Sequence, residues 1–205
     1  MWKSYFGKDA KIYGVDINPI CKGLEEENIQ VFIGSQSDRS FLTTLRQEIP
    51  PIDILIDDGG HTMQQQIITF EELYDHIKPG GVYLCEDLHT SYWVEYGGGY
   101  KRRGTFIEYA KKLIDSLNAF HSEQKIFKPD KFTSSTDSLH FHDSILVIEK
   151  NLRVKPHEIS SGNQSFDKNT QNIIQRSTVW KFKYKTIYLI NSVLRFFRLS
   201  SFKWK

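Results

Sequence analysis

At 205 residues, 39% apolar and 25% charged, the chain is long enough to bury one full core and too apolar for a disordered segment. Its two cysteines supply no disulfide framework and fit a reducing, cytoplasmic compartment; no signal-peptide pattern opens it, and no apolar run approaches the ~18 residues of a membrane span. The net charge of +2 conceals an acidic body, residues 1–150, where acids outnumber bases by seven, and a basic remainder, 151–205, where bases outnumber acids by nine; with no binding motif in so acidic a body, nucleic acid is not the expected partner.

In chain order, Met1–Phe6 is short and aromatic. Lys11–Ile17 reads as a strand ending in Asp16, the place where nucleotide-binding folds grip ribose hydroxyls. An ordinary turn or cap reads equally from the residues, because Pro19 opens a predicted helix to Glu27. Ile29–Ile33 is the next strand. The turn Gly34–Asp38 follows it, and Ser37 or Asp38 before Phe41, Leu42 and Leu45 is a helix start signal.

The stretch from Ile52 to Trp93 organises the chain. Ile52–Ile56 and Val82–Cys85 are short β-branched runs that read as buried parallel strands, and each stops in acid. Between them Ile67, Phe70, Leu73, Tyr74 and Ile77 recur at helical spacing over Met63–Ile77. The unit is a strand–helix–strand crossover of an α/β sheet, so Asp57, Asp58 and His61 after one strand should share a crevice with Glu86, Asp87 and His89 after the other. Carboxylates there suit a hard divalent cation; turn and cap roles for the same acids stay open.

IDDGGH, KPGGVYLCED and HTSYW resemble the metal-dependent sugar O-methyltransferases of macrolide pathways and the related rhamnosyl O-methyltransferase and cephalosporin hydroxylase-like proteins, over about residues 1–150. The resemblance implies a Rossmann-like class I methyltransferase sheet, with S-adenosylmethionine and Mg²⁺ as cofactors and a sugar hydroxyl of a glycan or small molecule as acceptor. It also implies site residues: Asp16 on the cofactor ribose, Ser35 and Gln36 near the adenine, Asp57 on the cofactor side, Asp58, Glu86 and Asp87 on the metal, and His61 as general base. The pattern departs from the family at its start. No glycine-rich turn precedes Asp16, so the first strand and glycine loop are expected to be missing between the strands ending in Asp16 and Asp58, and the chain reads as a fragment. The rival readings are a non-catalytic methyltransferase-like chain acting through its tail and a metal-dependent hydrolase or hydroxylase on the same sheet.

After Trp93, Gly97–Gly99 follows no strand, which argues against a phosphate loop and for a lid over the metal site. Thr105–His121 is an amphipathic helix, Lys128–Ser138 a polar connection, and Ser138–Lys150 a closing strand or hairpin. Residues 151–177 read as a linker. In 178–205 eight aromatics interleave with seven bases and no acid; Lys181, Lys183 and Lys185 alternate like a strand, and a helix is expected from about Thr186 to Leu199. Such a tail could lie on anionic membrane, with Arg195 and Arg198 snorkelling to headgroups, or cover a groove of the domain or of a second copy.

Overall fold

A computed structural model describes residues 2–162, 178–197, 199 and 201–202. The chain forms two compact units, Met1–His157 and Glu158–Lys205.

The first unit carries helices α1 (Trp2–Phe6), α2 (Arg39–Glu48), α3 (Met63–Leu73), α4 (Phe106–Leu117) and α5 (Lys131–Ser135). Its strands are β1 (Ile12–Asp16), β2 (Ile29–Ile33), β3 (Ile52–Asp57), β4 (Ile77–Cys85), β5 (Thr136–His142) and β6 (Ile145–Lys150). They make two sheets: β1 and β2 pair in parallel, and a four-stranded sheet runs β3-β4-β6-β5, parallel between β3 and β4 and antiparallel beyond. No ladder joins β1 to β3. The break falls where the resemblance places a first strand, and Val15 and Ile54 beside it are 38% and 43% exposed. Apolar strand residues left this open mark an edge with no partner of its own.

Helix α2 nonetheless holds the two sheets in one body. Leu42, Leu45 and Ile49 form a cluster with Ile68 and Leu73 of α3, against which Tyr13 and Phe32 pack from the small sheet and Ile52 and Leu55 from the large one. The larger core lies under α3 and α4, where Tyr83, Cys85, Phe106, Leu146 and Ile148 are fully buried. Burying side chains of this size contributes about 1.5–3 kcal/mol each.

Several elements differ from the sequence expectation. The predicted helix Pro19–Glu27 is a 3-10 helix, Pro19–Leu24, capped by Asn18. Strand β4 begins at Ile77, so KPGG lies inside it; Gly81 permits this, since a Cβ there would lie 2.6 Å from the Asp53 carbonyl oxygen on β3. The polar connection Lys128–Ser138 contains α5, closed by a capping box between Asp130 and Thr133. Asn151 and Arg153, expected in the linker, bond through their amides to the carbonyls of Ser135 and Ser134.

In the second unit α6 spans Thr178–Phe196, eight residues earlier than expected. The lysine–aromatic alternation at its start is helical, because a helix satisfies its own backbone donors and acceptors while a lone strand cannot. Among the described residues no helix is long and apolar enough to cross a membrane. Linker residues 163–177, together with Arg198 and Trp204, lie outside the described residues.

Candidate metal-centred active site

The parallel strands β3 and β4 end side by side, Asp57 opposite Cys85, so the segments Asp58–His61 and Glu86–Asp87 leave the sheet together. Asp58, His61 and Asp87 each offer a ligand atom within 4.8 Å of the others. His61 Nε2 lies 3.4 Å from Asp87 Oδ2 and 3.9 Å from Asp58 Oδ1. His89 Nδ1 approaches Asp87 Oδ1 at 3.7 Å and is held at 2.6 Å from Ser144 Oγ. Of the expected trio, Asp58 and Asp87 therefore converge with the expected base, while Glu86 is not in that group. Glu86 acts here through its backbone: its amide donates to the Asp57 carbonyl, and its own carbonyl accepts from Gln66 Nε2 at 3.1 Å.

His61 and Asp87 both have φ of 55°, in the left-handed region that non-glycine residues seldom adopt. Such conformations cost about 1–3 kcal/mol and cluster at functional sites, where neighbours over-determine them. A Cβ at Gly59 in the same turn would meet Gln36 Oε1 at 1.8 Å, so a side chain there would have to displace the Gln36 amide from its bonds. The His61 ring is mostly buried and its Nδ1 bonds to no protein group, so the tautomer is chosen by what sits at Nε2.

The expected cofactor side lies across the break. Asp16 closes β1; its carboxyl is held below the usual range by the Asn18 amide and then the Cys21 thiol. Ser35 Oγ lies 2.9 Å from Ser37 Oγ in the turn after β2, and of the two cap candidates Asp38 caps α2, accepting from the amides of Ser40 and Phe41. Both ends of the Gln36 amide are engaged: Nε2 donates to Asp57 Oδ1 at 2.9 Å and Thr69 Oγ1 at 3.1 Å, and Oε1 accepts from the Gly60 amide at 2.8 Å. Gln36 thus ties the β2 turn to the end of β3. Asp57 is buried, with Tyr83 donating to its second oxygen at 3.3 Å, and burial pushes its carboxyl up to about 6. The carboxylate in turn raises the Tyr83 hydroxyl and the Cys85 thiol, which burial has already pushed up.

No family model matches the chain. Over 152 residues it is 37% identical to 8-demethyl-8-alpha-L-rhamnosyl tetracenomycin-C 2'-O-methyltransferase of Streptomyces olivaceus, covering 73% of this chain and 40% of that relative. Over 156 residues it is 35% identical to demethylmacrocin O-methyltransferase of Streptomyces fradiae, covering 74% of this chain and 39% of the relative. Its fold superposes on MycE methyltransferase of the mycinamycin biosynthetic pathway, solved in complex with Mg and SAH, with a TM-score of 0.72 at 29% identity, over 86% of this chain and 45% of that one. The matched part of the chain is similar to sugar O-methyltransferases. It spans about two fifths of the length of the curated relatives it matches.

Within this methyltransferase frame, two residues without an assigned role in the motif reading support the site. Gln66 is fully buried and holds the Glu86 carbonyl. A polar residue on the face of α3 that also carries Met63 and Phe70 was the signal for it. Thr90, inside the HTSYW motif, bonds to the carbonyls of both His61 and Asp87. Among the described residues His140 and His142 join no metal-binding group; His140 Nε2 bonds to Ser138 Oγ at 2.8 Å.

Proposed function

We propose that the protein is an S-adenosylmethionine-dependent, Mg²⁺-dependent O-methyltransferase acting on a sugar hydroxyl of a glycosylated small molecule. The observation that carries this reading is the convergence of Asp58, His61 and Asp87 at the ends of two adjacent parallel strands. The donor set fits the ion: the carboxylates of Asp58 and Asp87 are part-exposed, and among the described residues their ion pairs are with imidazoles. Oxygen donors suit magnesium, which leaves the imidazole free for proton transfer. The motif resemblance would add Glu86 as a third carboxylate; among the described residues the converging group is Asp58, His61 and Asp87.

Magnesium held there would acidify and orient an acceptor hydroxyl. His61 removes the hydroxyl proton at Nε2. Bound S-adenosylmethionine would supply the methyl group, its C–S bond breaking as the new C–O bond to the deprotonated hydroxyl forms. Asp16 would accept from the cofactor ribose and the Ser35–Gln36 turn would contact the adenine, with Asp57 held by Gln36 beside them. Trp93, half exposed and 4.6 Å edge-on from the His89 ring, offers a sugar face an aromatic platform. For the tail we propose reversible contact with an anionic lipid surface through α6.

The test is methyl transfer from S-adenosylmethionine to a rhamnosylated acceptor, with and without chelator. Chelation should abolish transfer, and His61→Ala should lower turnover by about 10²–10⁴-fold with cofactor affinity nearly intact. Chelator-resistant transfer would remove the metal, and unchanged turnover in the variant would remove the base.

A further inference from the structure

Thr90 is 2% exposed, in the 3-10 helix Leu88–Tyr92 that follows Asp87. Its hydroxyl lies 2.9 Å from the His61 carbonyl oxygen and 2.8 Å from the Asp87 carbonyl oxygen, and its amide donates to the latter at 3.1 Å. The two carbonyls belong to turns that follow different strands, and both residues are in the left-handed conformation. One hydroxyl proton is shared between two acceptors, so a single side chain joins the turns that carry the imidazole and the carboxylate. Solvent cannot easily take over that bond. Gly98 closes on Thr90 so tightly that a Cβ there would lie 2.4 Å from the Thr90 carbonyl oxygen, and the Gly99 amide donates to the Ser91 carbonyl at 2.8 Å. The missing side chain at Gly98 is what lets this segment press on Thr90.

We propose that Thr90 is a positioning residue for the metal centre: its hydroxyl pins the His61 turn against the Asp87 turn, so that Nε2 and the carboxylate face each other. It acts through His61 and Asp87 and touches neither ion nor acceptor. The inference rests on the metal reading given above.

The experiment compares the 205-residue chain with Thr90→Val, which keeps the shape and loses the hydroxyl, and Thr90→Ser, which keeps the hydroxyl. Mn²⁺ binding is followed by the paramagnetic resonance of the free ion, and the ¹³C shifts of the His61 and Asp87 carbonyls are recorded without metal. Thr90→Val should weaken Mn²⁺ binding by about 10–100-fold, the usual effect of losing an outer-shell partner, and should move both carbonyl shifts. Thr90→Ser should leave both near wild type. If Thr90→Val does not fold, Thr90→Ala serves as the hydroxyl-free variant. Wild-type affinity and shifts in the hydroxyl-free variant, or an equal loss in Thr90→Ser, would overturn the proposal. If the wild type takes no Mn²⁺, the metal reading fails; the carbonyl shifts then decide the pin alone, moved shifts supporting it and unmoved ones overturning it.

Discussion

Lys150 ends β6 only 7% exposed, with Nζ 2.8 Å from the Tyr74 carbonyl oxygen and 4.9 Å from the centre of the Tyr74 ring. Burial lowers its pKa from the ordinary 10.5, the cost of desolvating the ammonium exceeding the help from Asp75. The sign follows: between the lowered native value and 10.5 the unfolded chain binds more protons than the native one, so this group's contribution to stability rises with pH. Urea unfolding of the wild type and Lys150→Met at pH 8 and pH 10 should show the wild type gaining on the variant at the higher pH. A constant difference would mean that the ammonium is not penalised. Little of this was legible beforehand, since a lysine ending an apolar run reads as an exposed strand end. Asp57 is similar: its buried place between Gln36 and Tyr83 depends on partners 21 and 26 residues away.

Elements were legible where their signals are local. A cap at Ser37 or Asp38 is legible before any packing is known, each a short acceptor just ahead of Phe41, and the structure chooses Asp38. The structure realises it through bonds of 2.9 Å and 3.2 Å to the first amides of α2. Asp38→Ala should destabilise the protein by about 1 kcal/mol, the usual worth of such a cap, seen as a lower urea midpoint with an unchanged slope. Because α2 holds both sheets, a larger loss with a changed slope would show that the small sheet detaches with it. Thr62 and Gln65 cap α3 reciprocally in the same local way. Strand β4 was less legible: periodicity detects its apolar end, Val82–Cys85, while its start through Lys78, Pro79 and Gly80 is set by pairing with β3, irregular between Ile52 and Ile54. Composition alone would make that stretch a turn.

For the whole molecule, charge separates a body from a tail, and the structure separates Met1–His157 from Glu158–Lys205. Helix α6 presents Phe182, Leu189 and Val193 well exposed, with Lys181, Lys183, Lys185 and Arg195 on the same element. Each base near an anionic surface contributes about 1 kcal/mol, screened by salt. The full chain should therefore pellet with phosphatidylserine-containing vesicles at low salt and release as salt is added, while a 1–157 truncation stays in the supernatant. Equal pelleting of the two, or none by either, would exclude lipid and leave a groove of the domain or of a second copy as the candidate occupant of this face.

The sequence by itself determined the parallel strands that stop in acid, the helical stripes between them, and the motif that gathers acids and a histidine at those strand ends. These depend on side-chain period and on residue types a few positions apart, which any extended or helical backbone must express. Only the tertiary structure decided which acids converge. Asp58 and Asp87 meet at His61 because β3 and β4 pair in one register and two backbones take left-handed turns, while Glu86, next along the chain, faces the same strand end through its backbone. It also decided that Gln36 spends its amide inside the protein and that the β1–β2 pair is held by α2 without a ladder to β3. Such choices depend on hydrogen-bond partners and packing neighbours brought from distant positions, and no local pattern encodes where a partner tens of residues away will stand.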